Sequence, residues 1–205
     1  MLNIDALMRS VTVIPVLVIE DAAHAQPIAE ALVAGGLTAL EVTLRTPAAL
    51  DVIREMAKVE GAVVGAGTVL NPRDLDAAME AGATFIVSPG LTAPLTEAAL
   101  DRGIAYLPGI ANSADIMRGL DFGLDHFKFF PAEAAGGIKA LKALSGPFGQ
   151  VSFCPTGGIT EATAGDWLAL KPVLCVGGSW VVPSGSPDTA AIRRAAEAAS
   201  RLRPV

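Results

Sequence analysis

The chain repeats one pattern of apolar and polar positions: an Ala-rich helical stretch, a glycine, then a short apolar run that ends in small or polar residues. AGGLTALEVTL, EAGATFIVSPG, DRGIAYLPGIA and DFGLDHFKFFPAE are its clearest copies. Capping residues or first-turn prolines open the helical stretches at Asp21, Thr46-Pro47, Asn71-Pro72, Thr92 and Ser113, and glycines close several at Gly36, Gly82, Gly103 and Gly119. A short helix is also expected before the first apolar run. The apolar runs predict eight strands, near Val11–Val18, Ala39–Leu44, Ala62–Gly65, Phe85–Ser88, Ala105–Pro108, His126–Phe129, Val151–Pro155 and Val173–Gly177. Their centres recur about every 23 residues, the spacing of a βα unit with short loops. Eight such units predict an α/β fold, a closed (β/α)8 TIM barrel with a short N-terminal helix, formed by residues 1–205 as one domain. An open doubly wound sheet is the runner-up. It would carry a Gly-rich fingerprint after the first strand, and Pro15-Val16-Leu17-Val18-Ile19-Glu20 has none.

Composition adds limits. With 52% hydrophobic and 18% charged residues, the 205-residue chain can bury a sizeable core. A formal charge of −6 argues against nucleic acid or an anionic membrane surface as the main partner, so an anionic ligand must be held by a local site. The apolar runs fall well short of the ~20 residues a membrane span requires. Asp5 stands where a signal peptide would be apolar, and Cys154 and Cys175 sit inside apolar runs, as reduced thiols do. A cytoplasmic location is the expectation.

In a barrel, reacting groups come from the C-terminal ends of the strands. Counting from the glycine before each strand, Glu41 is the fifth residue after Gly36 and Lys128 the fifth after Gly123. An amine and a carboxylate therefore fall at equivalent depths on the second and sixth strands. Lys128 lies in His126-Phe127-Lys128-Phe129-Phe130-Pro131, where desolvation disfavours an ammonium and makes a nucleophilic amine accessible. The plainer alternative is a lysine that snorkels from the end of an exposed strand. Glu41 is the only carboxylate within the eight predicted strands. Burying it requires a partner, which points either to acid/base work or to a structural ion pair with Arg45 or Lys128.

Gly157-Gly158 and Gly177-Gly178-Ser179 follow the last two strands, where this fold favours phosphate and where bare backbone N–H groups can reach its oxygens. Either pair alone could be only a tight turn. Thr68, after the third strand, can join Arg45 in gripping a small carboxylate, the alternatives being a helix cap and a solvent-facing cation. Ser88-Pro89-Gly90 and Pro108-Gly109 add small residues at strand ends. His126 shares the pleat face of Lys128 and reads as a core or supporting histidine. With two histidines far apart and no ligand-spaced cluster, no metal site is expected.

Taken together, Glu41-Val42-Thr43-Leu44-Arg45-Thr46, Gly65-Ala66-Gly67-Thr68-Val69-Leu70-Asn71, Ser88-Pro89-Gly90, Lys128-Phe129-Phe130-Pro131-Ala132-Glu133, Pro155-Thr156-Gly157-Gly158 and Gly177-Gly178-Ser179-Trp180 resemble, in order and spacing, the 2-keto-3-deoxy-6-phosphogluconate aldolases. The resemblance covers nearly the whole chain. It implies a class I aldolase of the Entner–Doudoroff pathway, a homotrimeric barrel acting on a phosphorylated keto acid without metal or cofactor, through a covalent imine on Lys128. It further implies Glu41 as the acid/base, Arg45, Thr68, Pro89 and Phe130 at the pyruvate end, Thr156 at the hydroxylated middle, and Gly157, Gly158, Gly178 and Ser179 around the phosphate. 4-Hydroxy-2-oxoglutarate or the galactonate epimer are alternative substrates, and a phosphosugar isomerase or epimerase using Glu41 as its base is the reading from another class. Asn112 stands where the family commonly has Thr, and Thr163 where an Asn often follows the phosphate loop.

Overall fold

The computed structural model describes residues 2–202. Its elements run α1 (Ile4–Ser10), β1 (Val13–Leu17), a 3-10 turn (Ala22–His24), α2 (Ala25–Ala34), β2 (Ala39–Thr43), α3 (Ala49–Met56), β3 (Val63–Gly67), α4 (Pro72–Glu80), β4 (Phe85–Val87) and α5 (Ala93–Arg102). They continue with β5 (Ala105–Leu107), β6 (Gly109–Ile110), α6 (Ser113–Asp121), β7 (His126–Phe129), α7 (Gly137–Ser145), β8 (Ser152–Pro155), α8 (Glu161–Leu168), β9 (Val176–Gly178) and α9 (Thr189–Ser200). The helix signals act locally as their chemistry requires. Asn71 accepts from Asp74 N–H at 3.0 Å and Pro72 opens α4, while α5 closes on Gly103 at φ +62°. Three signals are displaced. α3 begins at Ala49 rather than at Thr46-Pro47, and the Thr46 hydroxyl donates to the Ile19 carbonyl at 2.7 Å instead of capping the helix. Asn112 rather than Ser113 caps α6, and Gly119 lies inside that helix because a side chain there would strike the Phe127 ring; Gly123, at φ +76°, makes the turn.

Every strand pairing is parallel. β2 is buried at each of its positions, as in a sheet covered on both faces. The expected closed ladder of eight strands is not what the hydrogen bonds form: they make a six-stranded sheet, β5-β4-β3-β2-β1-β9, and a three-stranded sheet, β6-β7-β8. The break on one side has a plain cause. The fifth strand, predicted over Ala105–Pro108, stops at Leu107, and Pro108, which has no N–H to donate, separates it from a further short strand: β5 pairs with β4, and β6 pairs with β7. On the other side, β8 and its end are joined by the isolated bridges Phe153↔Val173 and Thr156↔Gly177 to β9 and the segment leading into it.

Two apolar clusters show how the sheets curl. One fills the layer between strands and helices. The other joins Ile14, Ala39, Phe85, Leu107, Cys154 and Cys175, from both sheets, with Leu7 and Met8 of α1. Strands of both sheets thus wrap one inner core, and α1 plugs its N-terminal end. His126, at the start of β7, bonds Asp5 of α1 at 3.0 Å and Asp125 at 2.6 Å, which fastens that plug.

Candidate functional site

The two-residue period of β2 puts Ala39, Glu41 and Thr43 on the inner face, and that of β7 does the same for His126 and Lys128, with Phe130 directly after the strand. Lys128 is 6% exposed and Glu41 3%, which excludes the snorkelling alternative for the lysine. Lys128 Nζ donates to Glu41 Oε1 at 3.1 Å. Burying two charges costs several kcal/mol per ion even when they are paired, so such a pair is poorly explained by stability and well explained by chemistry. Gly67 makes room for it, because a side chain at that position would run into the Glu41 carboxylate. The Phe130 ring lies 5.4 Å from Lys128 Nζ, within cation–π range.

The other predicted residues gather at the same C-terminal edge. Thr68, directly after β3, has φ +59°, the one non-glycine residue in the left-handed region among those described. Such strain costs about 1–3 kcal/mol and concentrates at functional sites. Thr68 does not cap a helix, since α4 is capped by Asn71. Arg45, two residues beyond β2, is exposed and bonds Thr43 Oγ1 at 3.2 Å, while Thr43 Oγ1 donates to the Leu17 carbonyl at 2.8 Å. Pro89 is brought in by Gly109: its carbonyl occupies the place a side chain would take there, and Gly109 is the register partner of Lys128. The Ser88 hydroxyl donates to Gly90 O at 2.7 Å and lies 2.8 Å from the Tyr106 hydroxyl, so Tyr106 donates to Ser88. Burial pushes the Tyr106 phenol above its ordinary value of 10.0, with the Ser88 bond opposing.

On the opposite side, a methyl group on Gly157 would lie 3.4 Å from the Phe130 ring, and the Thr156 side chain fills the space left by Gly177. Thr156 is buried; Gly158 and Ser179 are exposed, and Gly178 lies under the Trp180 ring. Buried Trp180 Nε1 has no hydrogen-bond partner among the described residues. Contacts thus join Glu41 to Lys128, Lys128 to Phe130, Phe130 to Gly157 and Thr156 to Gly177, while Thr68 follows Gly67 at the Glu41 carboxylate, Pro89 packs on Gly109 beside Lys128, and Arg45 reaches Thr43. His126 is not part of this set, and a cavity of about 580 Å³ beside His126, Asp5 and Tyr106 opens at the opposite edge. Cys154 and Cys175 are free and buried; the hydrogen bond to Cys154, then burial, pushes the Cys175 thiol well above its usual range. Among the described residues no cluster of three or more His, Cys, Asp or Glu could hold a metal ion.

Sequence reasoning passed over three contributors. Gly67 and Glu133 lie inside quoted motifs, but the space one leaves and the bond the other makes are visible only in three dimensions. Thr43 could have been found, since it lies two residues past Glu41 on the same pleat face.

A buried amine and carboxylate, ringed by small residues at the C-terminal edge of a curled parallel sheet, place the protein among the α/β enzymes built around a lysine nucleophile. Residues 4–195 match the family described as KDPG and KHG aldolase. The chain is 61% identical over 203 residues to the 2-dehydro-3-deoxy-phosphogluconate aldolase of Zymomonas mobilis, covering 99% of this chain and 98% of that one. A structure of the Zymomonas mobilis ZM4 enzyme with 3-phosphoglycerate superposes with a TM-score of 0.97 at 60% identity, covering 99% and 97% of the two chains. The KDPG aldolase of Legionella pneumophila, with pyruvate captured as a covalent carbinolamine, gives 0.94 at 44% identity and 97% and 98% coverage. The chain belongs to the KDPG and KHG aldolase family, whose members are lyases.

Proposed function

We propose that this protein is a class I aldolase that reversibly cleaves 2-keto-3-deoxy-6-phosphogluconate to pyruvate and glyceraldehyde 3-phosphate, the aldol step of the Entner–Doudoroff pathway. The observation that carries the reading is the buried Lys128–Glu41 contact of 3.1 Å. Transfer of the ammonium proton to Glu41 frees the Lys128 amine, which attacks the C2 carbonyl to give a carbinolamine. Glu41 passes that proton to the carbinolamine hydroxyl, which leaves as water, so that a protonated imine, an electron sink, remains and Glu41 is a carboxylate again. Glu41, directly or through water, takes the C4 hydroxyl proton as the C3–C4 bond breaks, and its electrons pass into the imine to form an enamine. Glyceraldehyde 3-phosphate leaves. Glu41 returns a proton to C3, and hydrolysis releases pyruvate and the amine.

In this reading Arg45, Thr68, Pro89 and Phe130 hold the pyruvate portion, and Thr156 faces the hydroxylated middle. The N–H groups of Gly157, Gly158 and Gly178 hold the phosphate with the Ser179 hydroxyl, which orients the scissile bond against Glu41. 4-Hydroxy-2-oxoglutarate, cleaved to pyruvate and glyoxylate, is a second substrate of the same site. The two sheets are read as arcs of one (β/α)8 barrel forming a single domain, because both line one inner core. The family resemblance supports assembly as a homotrimer in the cytoplasm. Among the described residues no helix is long and apolar enough to cross a membrane.

Incubation with pyruvate, reduction by borohydride and peptide mass mapping test the reading. A stable adduct on the peptide containing Lys128, absent from Lys128→Ala, is the expected result. No adduct, under conditions that trap a known class I aldolase, would return the choice to an isomerase or epimerase with Glu41 as its base.

A further inference from the structure

We infer that Glu133, which no step above uses, is a positioning residue that holds the Gly157-Gly158 loop in register with Lys128 and so aligns the substrate's phosphate with its reacting carbon. The inference rests on the phosphate assignment just made. Beyond β7 the chain runs beside the end of β8: Ala132 N–H donates to Thr156 O at 2.8 Å and Glu133 N–H to Gly157 O at 3.0 Å. Gly158 has φ +81°, and a side chain on it would lie 2.7 Å from Glu133 Cβ and Cγ, so the loop backbone rests directly on the Glu133 stem. Glu133 Oε1 accepts from Trp167 Nε1 at 3.1 Å.

Trp167 belongs to α8, the helix that starts just after the loop, and its ring centroid is 6.3 Å from that of Phe129, the residue after Lys128. One carboxylate therefore couples the loop, the helix that follows it and the back of the nucleophile's strand. Trp167 is fully buried, so without this acceptor its N–H loses its partner. A negative charge beside a phosphate loop is electrostatically unfavourable, and nothing in the Trp167 bond needs that charge. An uncharged acceptor of the same shape should serve as well, which separates positioning from charge.

The experiment compares wild type, Glu133→Ala, Glu133→Gln and Trp167→Phe in two assays: cleavage of the phosphorylated substrate, and exchange of the C3 protons of pyruvate in D2O. The exchange uses Lys128 and Glu41 but no phosphate. In Glu133→Ala the KM for the phosphorylated substrate should rise about tenfold with pyruvate exchange within about twofold of wild type. Trp167→Phe, which removes the donor instead of the acceptor, should reproduce that split, and it decides the matter if Glu133→Ala does not fold. Glu133→Gln should behave as wild type in both assays. Unchanged KM, exchange and cleavage falling in parallel, or Gln failing like Ala would each overturn the inference while leaving the aldolase reading intact. A wild-type protein that exchanges no pyruvate protons would instead remove that reading, and this inference with it.

Discussion

Glu41 shows how much a single side chain depends on what faces it. Its carboxylate reaches Lys128 because the α-carbon of Gly67, two register positions along the neighbouring strand, carries nothing. Gly67→Ala leaves the backbone conformation accessible but puts a methyl group onto the carboxylate. Overpacking of this kind costs about 1–3 kcal/mol when the surroundings cannot yield. Here Glu41 can yield, by turning away from Lys128. Gly67→Ala should therefore keep most of its stability and lose at least about tenfold in kcat, as expected when a proton carrier is displaced. Steady-state cleavage and a thermal melt on the same preparation check it, and unchanged kcat would show that the 3.1 Å contact is dispensable.

At the scale of elements, the repeated βα unit is visible down to its caps. Asn71 and Asn112 each accept from the N–H of an Asp three residues on, at 3.0 Å, and that Asp takes the side-chain amide in return. Asn112, the departure from the family's usual Thr, is therefore an N-cap, and Thr163 likewise serves a capping box with Thr160. α6 packs Ile116 and Gly119 inward, with Gly119 against Phe127 of the strand that carries Lys128. Asn112→Ala should destabilise the protein by about 1 kcal/mol and Asn112→Thr by less, measured by urea unfolding. Equal losses would mean that the cap bond is not the source. The start and finish of α6 lie a residue or two from where the sequence puts them because Ser113 is as good a cap as Asn112, and because a glycine can stop a helix or make room inside one.

For the whole molecule, ionisable groups set limits at both ends of the pH scale. Hydrogen bonds from Arg9 and His126 hold Asp5 below the usual carboxylate range; Lys58 does so for Glu55 and Arg102 for Asp76. Their folded values lie below the unfolded ones, so their contribution is present above the ordinary carboxylate range and is lost as pH falls through the folded values. Tyr106 is the reverse case: burial raises it, so its contribution is complete below pH 10.0 and is lost as pH rises through the folded value. Stability measured against pH should therefore fall off on both sides. Asp5→Asn should flatten part of the acid limb and Tyr106→Phe part of the alkaline one. Limbs unaltered by these substitutions would assign the losses to other groups.

The strands, most helix boundaries and the inward-facing Glu41 and Lys128 were legible in the sequence because each depends on a short stretch of chain: a capping side chain, a turn glycine, an alternation of period two. The matched depths of Glu41 and Lys128 follow from counting five residues from a glycine, a local measurement. What only the tertiary structure decided lies between stretches that are neighbours in space alone. These are the contact across 87 residues that joins amine to carboxylate, the space Gly67 leaves for it, the Tyr106–Ser88 support of the Pro89 turn, and the Glu133–Trp167 bond under the glycine loop. The break of the strand ladder at Pro108 belongs with them. Periodicity says which way a side chain points, but close packing decides what it meets there.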